Sequence, residues 1–399
     1  MKIQSIKSKI LLPIVLASLT MCGQNQPVET ENANTNLKPA FVGQTRIGGV
    51  KTNTAVKSEV LNTKLGRPWG ITELPDGRFL VTEKSGFLNL VSPNGKKVTK
   101  VTGLPKVDAA GQGGLLDVII DNEFDKNRTI YFTFSEPFEN GNLTSLAKAT
   151  LAKNEKSVEN VKIIFRATPS YNGKLHYGSR IVIDKDNNLI FSTGERSDKA
   201  TRPLAQDLNG YLGKIIRITK EGKPAAGNPF IGRSDAKPEI YSYGHRNVQG
   251  LALHPETNDL WNSEFGPRGG DELNRVEAGK NYGWPIITYG IEYNGKEIGE
   301  HIASKEGLEQ PTYYWDPVIS PSGMTFYSGN KIAEWKNNLF IACLSGQHID
   351  RLVIEDQKVV GEERLLSTED ERFRDIIETK NGDLVAVTDS GKLYKISKK

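Results

Sequence analysis

Cysteine is almost missing from this chain: 399 residues contain two, Cys22 and Cys343. Two cysteines cannot build a disulfide framework or a four-cysteine zinc site. A dense basic block is missing too. Lys and Arg are spread along the sequence and the formal net charge is only +4, which argues against a nucleic-acid partner. No convincing amphipathic helix longer than two or three turns can be traced, which disfavours α/β folds. No serine nucleophile elbow, phosphate loop or dinucleotide fingerprint occurs, so ATP and NAD chemistry have no motif to stand on. What is plentiful is turn-forming sequence. Thirty-nine glycines and 19 prolines suit an all-β protein.

The N-terminus reads as an export signal. Lys2, Lys7 and Lys9 precede an apolar run, Ile10 to Met21, that Pro13 interrupts and that is too short to span a bilayer. It ends at Leu19-Thr20-Met21-Cys22-Gly23, which resembles a bacterial lipoprotein cleavage box, with Met21 in place of the usual small residue. On this reading residues 1–22 are a signal peptide, Cys22 carries the lipid, and the protein sits in the periplasm or cell envelope. An ordinary secretory signal is the plainer alternative. Residues 23–55 are polar and read as a tether. Cys343 lies in an apolar strand-like run and reads as a buried free thiol. Lipidation of Cys22 would leave no intrachain disulfide.

From residue 56 to 399 one pattern recurs: an apolar strand, a turn, and a second apolar strand. Units begin near Ile71, Val118, Ile181, Leu251, Met324 and Ile376. The first and last are alike, LPDGRFLVTEKSG against TKNGDLVAVTDSG. Six units predict an all-β, six-bladed β-propeller whose first and last blades close the ring. A β-sandwich or two β domains would give similar strand patterning. The uneven gaps between units carry loops, and loops on a rigid scaffold are where function concentrates.

Several segments are too polar for blade interiors. Gly111-Gln112-Gly113-Gly114 allows close approach of a flat ligand to Gln112, or is a tight turn. His176, in His176-Tyr177-Gly178-Ser179-Arg180, is a candidate proton acceptor or a structural histidine. The adjacent Arg246 and Asn247 suit an anionic planar molecule, and equally a salt-bridged surface loop. Glu264 to Asn274, followed by Gly279 to Pro285, offers carboxylates and carbonyls, hard oxygen ligands that suit calcium. Arg372 and Arg374 would share one face of a strand, facing either surface carboxylates or a carboxylated ligand.

In order along the chain, RPWGI, GQGGLLDV, HYGSRI, AQDLNGYLGKIIRI, GHRNVQG, EFGPRGGDELN, GKNYGWP and RFRDI resemble the soluble PQQ-dependent sugar dehydrogenases. That is the glucose/sorbosone dehydrogenase family, and within it the aldose sugar dehydrogenase branch. The likeness spans about residues 60 to 396. It implies PQQ and calcium as cofactors and an aldose oxidised at C1 to a lactone, with hydride passing to PQQ C5. His176 would be the general base and Arg246 would stabilise the developing alkoxide. Gln112, Arg246, Asn247, Tyr293, Arg372 and Arg374 would contact PQQ. Gly266 and Pro267 would hold its calcium, and Glu272 and Tyr282 a second, structural one. Ser345 stands where glucose-type enzymes carry a lysine, which points to broad aldose use. An electron acceptor is implied but not named. Homodimers are common in the glucose-type branch, and nothing in this sequence establishes one. Competing readings are a non-catalytic envelope propeller that binds sugar or protein, and a calcium-dependent lactonase. The lactonase would need several axial carboxylates where this chain supplies arginines.

Overall fold

The computed structural model describes residues 25–399. The signal-peptide and Cys22 readings lie outside the described residues. The described chain forms six four-stranded antiparallel sheets. Blade 1 runs from Pro68–Glu73 to Val98–Val101, blade 2 from Leu115–Ile120 to Val158–Arg166, and blade 3 from Ile181–Ile183 to Ile240–Tyr243. Blade 4 runs from Val248–Leu253 to Tyr313–Trp315 and blade 5 from Pro321–Phe326 to Lys358–Leu365. Blade 6 takes three strands from the C-terminus, beginning at Phe373–Glu378, and its fourth, Val56–Asn62, from the N-terminal side. Val56 pairs with Lys398 and Val60 with Tyr394, so the ring is closed by hydrogen bonds between chain ends.

Each of the six blade-to-blade interfaces has its own apolar cluster. Leu88 and Phe132 belong to the one between blades 1 and 2, Phe165 and Phe191 to the next, and Ile190 and Leu251 to the third. Trp261 and Phe326 join blades 4 and 5, Phe340 and Ile376 join 5 and 6, and Val81 and Val387 complete the circle. Stacking sheets this way buries both faces of every blade, which is why the strands read as apolar runs rather than clean alternations. Cys343 is fully buried, and its thiol donates to Ile341 O.

The inner strands all enter the ring from the same end. Five of the six carry a register break at their first residues: Pro68/Ile71, Leu115/Val118, Val248/Gly250, Pro321/Met324 and Phe373/Asp375. Bulges twist a strand and re-aim its side chains.

The expectation of a loose tether over residues 23–55 is corrected for the residues described. Residues 25–55 lie against the outside of blades 4 and 5 as a strap. Tyr314 N donates to Gln44 O, Val50 N to Glu362 O, and the Gln44 side chain is fully buried. Polar composition misled because this segment gains its order from edge pairing and buried polar contacts rather than from apolar burial.

Candidate active site

A cavity of about 370 Å³ opens at the end where the inner strands begin. Its wall takes Trp69 from blade 1, Gln112 from the entry to blade 2, His176 from the entry to blade 3, and Arg372 and Arg374 from the entry to blade 6. The motifs are far apart in sequence and one to five residues upstream of, or at the start of, an inner strand. The ring therefore gathers them at one mouth.

His176 is held in a strained, left-handed conformation, φ +49°. Its backbone N–H donates to Gln112 Oε1 at 2.8 Å, and Gly194 packs so tightly on its carbonyl that no Cβ would fit there. Nδ1 lies 2.6 Å from Glu195 Oε1. Burial and the nearby Arg246 guanidinium push the imidazole down to about 4, against the pull of Glu195. At neutral pH the ring is uncharged, and the carboxylate beside Nδ1 draws the remaining proton there. Nε2 makes no hydrogen bond among the described residues, and His176 lines the cavity. That is the state a proton acceptor needs.

Arg246 and Asn247 are buried but do not line this cavity. Arg246 Nη1 donates to Phe265 O at 3.1 Å and Gly266 O at 2.7 Å, and its backbone N–H donates to Glu264 Oε2. Its Nε is buried without a partner among the described residues. Asn247 Oδ1 accepts from Gly178 N and Gln249 Nε2, fixing the His176 loop, while its Nδ2 is also unpartnered.

The Arg372 and Arg374 guanidiniums both meet Asp389, at 3.1 and 2.9 Å. Burial alone would raise the Asp389 carboxyl; Arg374 and Arg372 override it and hold it below the usual range. Arg67 and Lys84 line the same wall. Burial and then Arg67 lower the Lys84 ammonium. The wall thus sets four cationic side chains against one carboxylate. The arginine pair is salt-bridged to Asp389 and lines the cavity. Tyr293 stands at the rim, 70% exposed.

The calcium candidates occupy a neighbouring loop and a second, small chamber. Gly266 is forced to be glycine, since a Cβ would strike the Gly269 and Gly270 carbonyls. Pro267 packs on Gly290. The chamber is lined by Arg246, Glu264, Gly266, Glu272 and Tyr282. Burial, and then repulsion from Glu264, raise the Glu272 carboxyl well above its ordinary range. Asn274 Nδ2 reaches both carboxylates, at 3.4 and 3.3 Å. Tyr282 stacks on His245 and spends its hydroxyl on Arg275 O. Only its carbonyl is left to serve a cation. Among the described residues no group of three or more His, Cys, Asp or Glu side chains is placed to hold a metal.

Two functional elements escaped the sequence reading. Glu195 is a lone carboxylate after an apolar strand; its only signal was that Thr193-Gly194-Glu195-Arg196 is too polar to continue the strand. The other is on the axis. Arg180 meets Asp117 at 3.0 Å and Asp375 at 2.7 Å, stacks on Trp69 and donates to Gln249 O. Asp117, Arg180 and Asp375 lie inside three of the quoted motifs, a few residues after Gln112 and His176 and directly after Arg374, and Arg180 touches the cavity wall through Trp69 and Gln249.

Comparison with known proteins agrees with this geometry. The family described as glucose/sorbosone dehydrogenase matches residues 65–395. The aldose sugar dehydrogenase of Escherichia coli strain K12 is 39% identical over 350 residues, 86% of this chain and 93% of that protein. The crystal structure of the soluble aldose sugar dehydrogenase from Escherichia coli in its apo form superposes with a TM-score of 0.82 at 37% identity, covering 86% of this chain and all of that one. The PQQ-bound aldose sugar dehydrogenase from Streptomyces coelicolor gives 0.72 at 27% identity, covering 87% and 99%.

Proposed function

Because the chain belongs to the glucose/sorbosone dehydrogenase family, we propose that its cavity binds PQQ with calcium and oxidises aldose sugars at C1 to lactones. The observation that carries this reading is a neutral, carboxylate-oriented His176 in a wall with four cations and one carboxylate. PQQ bears three carboxylates, and the wall has three positive charges in excess. The unpartnered Arg246 Nε and Asn247 Nδ2 add buried donors beside the same wall.

Arg372, Arg374 and Lys84 would hold the cofactor's carboxylates, and Gln112 and Tyr293 would flank it. The Gly266 and Pro267 carbonyls would take its calcium, and Gly266 O, which accepts from Arg246 Nη1, would be shared with or released by that guanidinium. Glu272 and the Tyr282 carbonyl would hold a second calcium, whose charge would relieve the Glu264–Glu272 repulsion. When bound, PQQ and calcium together supply a polarised quinone that accepts hydride.

The protein's own part is proton management. His176 Nε2 takes the proton of the anomeric hydroxyl as C1 gives up hydride. Glu195 keeps the ring in the tautomer that leaves Nε2 free and stabilises the imidazolium that forms. Arg246, close enough to depress His176, also stabilises negative charge developing on the sugar oxygen. A tricarboxylate next to His176 would raise its basicity from the low value that burial and Arg246 impose, matching it better to neutral pH. Export and anchoring at Cys22, suggested by the signal-like N-terminus, would place this chemistry in the cell envelope. Labelled palmitate incorporation that Cys22→Ser abolishes would bear on that point.

The test is reconstitution with PQQ and calcium, following reduction of an artificial electron-accepting dye with a panel of aldoses. Turnover that needs both additives and collapses in His176→Ala is the expected result. No PQQ binding and no turnover with any aldose would overturn the reading.

A further inference from the structure

The strap lies before the stretch that the family match covers. The Escherichia coli structure is matched over its whole length by 86% of this chain. The family match runs from 65 to 395, so residues 25–55 lie outside it. Yet the strap is built into the molecule beside the calcium loop. Asn34 donates to Asp316 Oδ1 through its backbone N–H at 2.9 Å and its side-chain amide at 2.8 Å. Thr35 N–H and Oγ1 reach Asp316 Oδ2 at 3.2 and 3.3 Å, and Thr35 Oγ1 also reaches Tyr289 O at 3.1 Å. Arg46 Nη2 donates to Asp316 O at 2.7 Å. The Asp316 carboxylate is buried, and it packs on Gly269, where an added Cβ would lie 2.7 Å from Oδ1. On the other side, Arg268 of the same loop donates from Nε to Asn34 Oδ1 at 3.0 Å.

The loop from Gly266 to Gly270 is therefore held from both flanks. Gly270 N donates to Trp315 O, next to Asp316, and Arg268 pairs with Ile291, two residues after Tyr289. The strap bonds to Asp316, to Tyr289 and to Arg268 itself. Without it, Asp316 would lose every side-chain hydrogen bond it has among the described residues, and a buried carboxylate without partners is costly.

We infer that Asn34 and Thr35 are positioning residues for the calcium loop: through Asp316 and Arg268 they fix the backbone that presents the Gly266 and Pro267 carbonyls. A ligand cage assembled from carbonyls binds an ion only as well as its backbone is held. The inference rests on the cofactor reading above for its functional consequence, and on strap geometry alone for the loop.

The experiment compares the full chain with an Asn34→Ala/Thr35→Ala double variant and with Thr35→Ser. Hydrogen exchange is read at the 266–271 amides and at the inner strand Leu115–Ile120, and calcium affinity is titrated on cofactor-free protein. Exchange at 266–271 should quicken about tenfold or more in the double variant, the scale of one lost hydrogen bond to a charged group. The Leu115–Ile120 strand should stay unchanged, calcium affinity should fall in step with the loop, and Thr35→Ser should restore most of the protection. Unchanged loop exchange, or exchange quickened equally in all blades, would overturn the inference. If the wild-type chain binds neither calcium nor PQQ, it is the cofactor reading that fails, and loop exchange still decides the role of the strap.

Discussion

Glu195 Oε1 sits 2.6 Å from His176 Nδ1, with both side chains buried and the other carboxylate oxygen, Oε2, without a partner among the described residues. The contact gives the carboxylate one task, to fix the imidazole. In Glu195→Gln the amide can present its NH2 to Nδ1, moving the ring proton to Nε2 and blocking proton uptake. We expect kcat to fall by roughly a hundredfold or more, the range of general base catalysis, with PQQ affinity within a few-fold of wild type. Steady-state kinetics with a PQQ titration check this. A kcat within twofold of wild type would remove Glu195 from the mechanism.

The same burial makes His176 a pH sensor of stability in the cofactor-free protein. The groups facing it are Glu195, Arg246 and Arg196. Its folded value of about 4 lies below the ordinary 6.5, so between these pH values the unfolded chain binds a proton that the folded chain does not. Stability therefore falls as pH drops through 6.5 toward 4, by about 3 kcal/mol at the low end. Urea unfolding of wild type and His176→Asn at pH 7 and pH 4.5 isolates this part, since the equally depressed His348 is common to both. The variant should lose about 2 kcal/mol less than wild type over that interval. Parallel losses would mean that His176 titrates normally.

Arg374 is better shielded than Arg372, with side chains 16% and 48% exposed, while both share Asp389. Charge pairing strengthens with desolvation. Arg374→Met should then weaken PQQ binding more than Arg372→Met, and the double variant should lose at least about a hundredfold in affinity. Fluorescence titration of PQQ gives the values. Raising salt should weaken Arg372 contacts more than Arg374 contacts, because exposed charges are screened first.

The six sequence units begin within the six inner strands and run on into the second strand of each blade, because both strands are largely buried between neighbouring blades and read as apolar runs across a turn. The outer strands were less legible: Val56–Asn62 is mostly exposed and closes the ring only through pairing with Leu393–Lys398. Gln112, His176, Arg372 and Arg374 were legible because each is a polar residue at the entry to an apolar inner strand, and all four line the cavity. Arg246 was legible as a residue but not in its orientation, since its Gly266 partner lies 20 positions away on a loop whose path the sequence does not encode locally. Glu195 and the strap were missed for one shared reason. Their significance lies in a partner distant in sequence, and neither carries a pattern of its own.

Arg180 extends that point to the axis. It stands between Asp117 and Asp375, whose carboxyls burial pushes upward, the latter to about 7. Asp375 also accepts from Ile71 N in blade 1, and Asp117 from Ile181 N in blade 3. One cluster thus ties inner strands of several blades just below the cavity. Arg180→Met keeps the length of the side chain but leaves two buried carboxylates facing each other. Breaking such a pair costs about 3–5 kcal/mol. A further Asp375→Asn change should recover part of it by removing one charge. Denaturant unfolding of the single and double variants measures both steps. Recovery in the double variant would mean that Arg180 acts by balancing charge. If the double variant is less stable than Arg180→Met, Asp375 matters chiefly as the acceptor for Ile71, and the axis is held by its hydrogen bonds rather than by its arginine.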